Sequence, residues 1–134
     1  MLVPWALREM YKKVLTLCNS EQAIAQGDFF DLMYVNFENA EFDPHSNYAY
    51  LRYTQDEILV IVVNFAMHSC DMAINIPQLA LDMMRIDSAT YEATELLSGT
   101  KEKKHLHRAI PFRTTVAAKG AVMWKINKTK KNIK

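Results

Sequence analysis

The chain has 134 residues, half of them hydrophobic and 23% charged, with a formal net charge of +1. This is the composition of one ordinary globular domain, long enough to bury roughly two-thirds of the surface its unfolded chain exposes. The near-neutral balance argues against a nucleic-acid partner, which a basic face would serve. No apolar run reaches the ~18 residues a membrane helix needs, so no membrane partner is expected.

Residues 2–18 carry helical periodicity, with Val3, Leu7, Met10, Val14 and Leu17 at intervals of three and four. Trp5, Tyr11, Leu15 and Cys18 widen the stripe, and Pro4 suits a first helical turn. Ser20 reads as a new N-cap, and Gly27 as the left-handed residue that closes a short turn. From Asp28 the period changes to two. Residues 29–36 are expected to form a strand, and 37–46, with their Asn, Asp, Glu and Pro, a loop. Residues 47–54 and 58–65 flank the short connection Gln55-Asp56-Glu57 and predict a hairpin.

The second of these strands reads Ile-Leu-Val-Ile-Val-Val-Asn-Phe. Its β-branched residues fit a pleated surface, and both alternating faces are apolar. Such a strand belongs in the middle of a sheet with cover on both sides. Residues 71–76 predict a further strand. Residues 78–85 suit either a short helix or a packed loop, and 91–97 a strand ending at the turn Ser98-Gly99. Residues 101–108 read as a charged connection. Residues 111–116 and 121–126 read as a last hairpin around Lys119-Gly120, and the lysine-rich run 125–134 as a solvated, frayed tail. The sum is an all-β fold: an antiparallel Greek-key β-sandwich with one N-terminal helix.

Chemistry-bearing constellations are not found. The fifteen acidic residues fall mainly in turns or on outward strand positions, and no pair is set in a cleft. His105 and His107 share one strand face but sit in a lysine-rich stretch, where surface histidines are the better reading than a metal site. Three glycines make no phosphate-cradling loop. Cys18 and Cys70 form no Cys-x-x-Cys spacing and read as free buried thiols. No catalytic residue, metal site or cofactor is therefore expected. No signal peptide is visible, and no compartment is assigned. Aromatic residues remain: Tyr48 and Tyr50 share one strand face with Arg52, and exposed rings of this kind stack on sugars. Packing against another layer explains the same residues with less assumption.

The order of these features resembles the C-terminal end of bacterial α-amylase family glycoside hydrolases. Residues 6–17, Ala-Leu-Arg-Glu-Met-Tyr-Lys-Lys-Val-Leu-Thr-Leu, resemble the last helix of that family's catalytic (β/α)8 barrel. Asn19-Ser20-Glu21-Gln22-Ala23-Ile24 and Gly27-Asp28-Phe29 resemble the link into its β domain, with Cys18 where that link often has Arg and Gln22 where it often has Pro. Tyr50-Leu51-Arg52 and Val62-Val63-Asn64-Phe65 resemble its first hairpin, and Glu95-Leu96-Leu97-Ser98-Gly99 a later strand end. Lys119-Gly120-Ala121-Val122-Met123-Trp124 resembles the closing strand, although Ala118-Lys119 departs from the turn that precedes it.

The resemblance covers nearly the whole chain and implies a boundary near residue 26. Residues 1–26 would end a barrel and 27–134 would form the C-terminal β domain. It implies a longer parent enzyme acting on α-1,4-glucans, whose three catalytic carboxylates lie upstream. This chain would be non-catalytic, packing on and stabilising that barrel as its partner. Two alternatives stand beside it. One is a starch- or α-glucan-binding module using Tyr48, Tyr50 or Trp124. The other is a free-standing protein-interaction domain whose helix docks on a partner. Trp5, Met10 and Leu17, without barrel neighbours, also predict self-association through the N-terminal helix.

Overall fold

The structure, a computed structural model, describes Lys12 and residues 26–132, with the backbone alone for residues 129–132. Apart from Lys12, the helix expected over residues 2–18, and with it Cys18 and Trp5, lies outside the described residues.

Strands β1 (Asp28–Asp31), β2 (Asn47–Tyr53), β3 (Glu57–Asn64), β8 (Gly120–Asn132), β5 (Ala89–Glu95) and β6 (Lys101–Leu106) form one sheet in that order. Strands β4 (Cys70–Ile74) and β7 (Phe112–Val116) form a second. Every pairing is antiparallel. The helical turn α1 (Met33–Asn36) follows β1, and α2 (Gln78–Met84) follows β4. The expected antiparallel sandwich is present.

Strand β3 sits between β2 and β8, as its two apolar faces required. Ile58, Val60 and Val62 point into the main core, with Met72 and Ile74 of β4, Phe112 and Val116 of β7, and Leu51, Tyr91, Trp124 and Ile126. Leu59 and Ile61 point the other way and form a smaller buried cluster with Met123, flanked by Tyr50, Val63, Leu96 and Leu97. Phe65 lies beyond the end of the strand and is 67% exposed, not part of that covered face.

Two of the four connections that change sheet, β3 to β4 and β7 to β8, meet at one end. The Lys119 N–H donates to the Ala66 carbonyl at 3.0 Å. Asn64 joins them from inside. Its side-chain amide donates to the carbonyls of His68, Val116 and Ala117 at 2.9, 3.1 and 3.2 Å. Its Oδ1 accepts from Asn47 Nδ2 at 3.1 Å and from the Ala66 N–H at 3.0 Å.

Four expectations are corrected. Residues 29–36 are not one strand. The ladder ends at Asp31, whose Oδ1 accepts the Met33 N–H at 3.2 Å. Asn36 then back-bonds the Leu32 carbonyl at 2.8 Å, the local competition that Asn offers to extended backbone. The same amide reaches the Asn75 carbonyl at 3.0 Å, and its Oδ1 accepts the Asn75 N–H at 2.7 Å, tying the turn to the end of β4.

Residues 101–106 are a strand, not a connection. Its inward positions carry Glu102, Lys104 and Leu106, so charge hides the alternation, and lysines on an edge strand discourage foreign pairing. Strands β7 and β8 are not a hairpin: β7 pairs with β4, and β8 with β3 and β5. Lys119, at φ 51°, shapes a turn that here links two sheets. The basic run from Lys125 is not a tail, because β8 continues to Asn132 through a bulge opposite Tyr91 to Ala93. The segment left open between helix and loop, 78–85, is the helix α2, closed by Arg85 in the left-handed region.

Buried Tyr91 donates its hydroxyl to the Asp87 carbonyl at 2.8 Å. Burial, helped by the Asp87 charge, pushes its phenol above the usual value of 10.0. Above about pH 10 the folded chain therefore holds a proton that the unfolded chain has lost, so this group's stability contribution falls as pH rises through the folded pKa. Tyr53 acts in the same sense, its phenol also raised by burial. Lys128, whose ammonium burial disfavours, acts in the opposite sense. Tyr91→Phe is expected to lose stability less steeply than the parent between about pH 9 and 11, read from urea midpoints. An unchanged slope would contradict the assignment.

Candidate functional site

The sequence-predicted residues fall on opposite faces of the large sheet. Register places Tyr50 beside Ile61 and Met123, and Leu51 beside Val60 and Trp124. Tyr48 and Tyr50 therefore look outward, while Trp124 points into the space between the sheets. The structure brings the two tyrosines together and separates Trp124 from them.

On the outer face three rings run in a strip. Phe29 of β1 lies 5.2 Å from Tyr50, and Tyr50 lies 5.5 Å from Tyr48, centroid to centroid. Phe29 is 48% exposed and Tyr48 37%. The planes are tilted by 34° and 63°, so the rings form an angled ridge and not a flat platform.

Trp124 is only 4% exposed. Its indole N–H donates to Thr114 Oγ1 at 3.0 Å, and the Lys104 ammonium lies 4.3 Å from its ring centroid. Lys104 itself is 7% exposed. It donates to Glu102 Oε1 at 2.9 Å and to the Arg113 carbonyl at 2.6 Å. Such partners, together with the face of an aromatic ring, offset the cost of burying a cationic side chain. Trp124, Lys104, Glu102, Thr114 and Arg113 border an open cleft of about 1120 Å³.

The cleft follows from the topology. It lies where the turn after β5 and the start of β6 face β7 and the starts of β4 and β8, while the inner side chains of β5 further along, Tyr91 and Ala93, are buried. Sequence reading missed this site. The one available signal was the alternation Glu102, Lys104, Leu106, hidden in a stretch that looked uniformly charged.

Glu95, also on the cleft wall, is buried. Its carboxylate accepts the N–H groups of Met123 at 2.8 Å, Leu97 at 3.1 Å and Ser98 at 2.9 Å. Asp71 accepts the Thr115 hydroxyl at 2.6 Å. Glu95 is thus committed to holding the turn after β5 against β8. His105 meets Thr90 Oγ1 through Nδ1 at 2.9 Å, and His107 Nδ1 accepts the Ala109 N–H at 2.9 Å, so the two histidines serve separate local contacts. Among the described residues no group of three or more His, Cys, Asp or Glu side chains is placed to hold a metal ion. No helix among them is long and apolar enough to cross a membrane. Cys70 is a free thiol.

No protein-family model matches the sequence, and no curated protein is significantly similar to it. Solved structures do match. The α-amylase from Geobacillus thermoleovorans, solved with acarbose, superposes with a TM-score of 0.59 at 16% identity, over 86% of this chain and 21% of its own. A maltogenic α-amylase from Thermotoga neapolitana gives 0.63 at 7% identity, over 89% and 25%. The trehalose-6-phosphate hydrolase of Bacillus licheniformis gives 0.53 at 24% identity, over 88% and 18%. This chain thus spans about a fifth of the length of the enzymes it matches. Its fold is the one that bacterial α-amylases carry over that fifth, in keeping with the resemblance seen in the sequence.

Proposed function

We propose that this chain is the non-catalytic C-terminal domain of an α-amylase-like glycoside hydrolase. Residues 27–134 form the β domain, and residues 1–26 the end of the barrel it stabilises. One observation carries this reading: the fold matches nearly all of this chain but only a fifth of much larger α-amylases. The hydrogen bonds of buried Glu95 to three backbone N–H groups give that carboxylate a structural task, which agrees with it. The parent enzyme acts on α-1,4-glucans and carries its catalytic carboxylates upstream.

The chain alone is expected to release no reducing sugar from starch. Turnover proportional to pure protein would refute this. Coding sequence upstream should specify a barrel with three catalytic carboxylates. Deleting residues 27–134 from that longer chain is expected to lower its melting temperature by several degrees, since buried interface is lost. An unchanged melting curve would remove the stabilising role.

A second reading, α-glucan binding by Tyr48 and Tyr50, is favoured by the ring strip with Phe29. Affinity electrophoresis in amylopectin tests it. Retardation lost in Tyr48→Ala supports it, and unretarded migration of the parent chain refutes it. Trp124 is not part of that strip.

A further inference from the structure

We infer that the outer face of the large sheet is a docking surface for this chain's own N-terminal segment, residues 2–18, seated on Leu59, Ile61 and Met123. The inference deepens the reading above by naming the face on which residues 1–26 rest. Its observations belong to this chain alone, and it holds whether or not a barrel precedes them.

Burial is the first reason. Leu59 is 0% exposed, and Ile61 and Met123 are 5% each, although all three point away from the second sheet. Their neighbours among the described residues are Tyr50 and Val63 of the same sheet and Leu96 and Leu97 of the turn after β5. Neither α1 nor α2 contributes to this cluster. Side chains stand perpendicular to a sheet, so neighbours in its plane flank them and leave their tips in water. Dry tips need a further layer packed on that face. Residues 133–134 are too short to be that layer, and residues 1–25 are long enough.

The cover is also local. On the same face Phe29 and Tyr48 are half exposed, so it stops short of β1 and the end of β2. At the other margin Lys125 Nζ meets Glu57 Oε2 at 3.3 Å, a polar edge to the apolar patch.

Pattern is the second reason. At about 100° per residue, Val3, Leu7, Met10, Val14 and Leu17 fall within a helical stripe about 80° wide. Lys12 is helical and exposed, and it stands about 180° from the centre of that stripe. Solvent at Lys12 turns the stripe inward. Reach is the third reason. The β1 strand is the sheet edge, and β3 lies two strands away, about 10 Å. Residues 19–25 extend up to about 23 Å, enough to carry the segment back over β3.

Methyl NOE spectroscopy of the unaltered chain tests the seat. Cross-peaks are expected from the methyl groups of Leu59 and Ile61 to those of Leu7 and Val14, and their absence would overturn the inference. An equal mixture of labelled and unlabelled chain identifies the occupant. Cross-peaks between copies would give the face to a second copy and overturn it as well. Peroxide oxidation, read by peptide mass spectrometry, is an independent measurement. Met123 is expected to oxidise as slowly as Met72 of the main core, and far more slowly than Met67, which is 78% exposed. Val14→Asp sets a charge against the dry face and is expected to speed Met123 about tenfold or more while Met72 stays slow. Lys12→Glu, on the opposite side, should change neither. Where Met72 also speeds up, Val14→Asp has unfolded the chain, and the milder Leu7→Ala takes its place. Met123 as reactive as Met67 in the parent chain, or unmoved by a folded stripe variant, would overturn the seat. Starch hydrolysis bears on the function proposed above and not on this surface.

Discussion

Asn64→Ala is expected to lower the stability of the folded chain by about 4 kcal/mol, since each buried polar group left unpaired costs about 1–3 kcal/mol. The side chain is fully buried and sits where two of the four sheet-changing connections, β3 to β4 and β7 to β8, meet. Its loss strands the Asn47 amide, the Ala66 N–H and the carbonyls of His68, Val116 and Ala117. Part of this number is recovered where a water enters the gap. For a chain of this size about 4 kcal/mol corresponds to roughly 15 °C in melting temperature. Asn64→Asp should be nearly as damaging, because a carboxylate accepts where three carbonyls need a donor. Urea and thermal denaturation measure both variants. A loss under about 1 kcal/mol in Asn64→Ala, the size of one ordinary hydrogen bond, would show that the two connections hold without it.

Trp124→Ala is expected to cost about 3–5 kcal/mol, the range for emptying a large aromatic site in a core. A tryptophan on an exposed sugar platform would cost far less, within about 0.5 kcal/mol. The measurement therefore separates the two positions the sequence allowed for this residue. The cost has three parts: lost apolar burial, a Thr114 hydroxyl without its indole donor, and a Lys104 ammonium without its ring. Trp124→Phe should recover much of the packing and the ring face but not the hydrogen bond, with a loss nearer 1–2 kcal/mol. Equal stability of Trp124→Ala and the parent would refute the buried placement.

The sequence settled what local pattern can settle. Strands β2 and β3 and their short connection follow from period-two alternation around Gln55 and Asp56, and the structure pairs them in that register. The two apolar faces of residues 58–63 required a central strand, and β3 is one. The resemblance carried by short motifs in fixed order pointed to the fold that solved α-amylases share. The ring pair Tyr48 and Tyr50 was legible because alternate residues of one strand share a face.

Pairing across the chain was decided elsewhere. Residues 112–116 and 120–132 are separated by a turn signal, and local rules join such strands. The structure parts them because β3 offers β8 a fully apolar neighbour on its open edge, while β4 takes β7. A turn fixes chain direction over a few residues, but long-range burial selects the partner. The strand at 101–106 was hidden for a related reason. Lys104 reads as solvated until β7 and Trp124 bring a carbonyl and a ring to its ammonium. The cleft, finally, forms where the turn after β5 meets the ends of strands from both sheets, segments far apart in the chain. Strand propensity is written residue by residue, but the number of strands in each layer is set only when distant segments compete for the same buried surface.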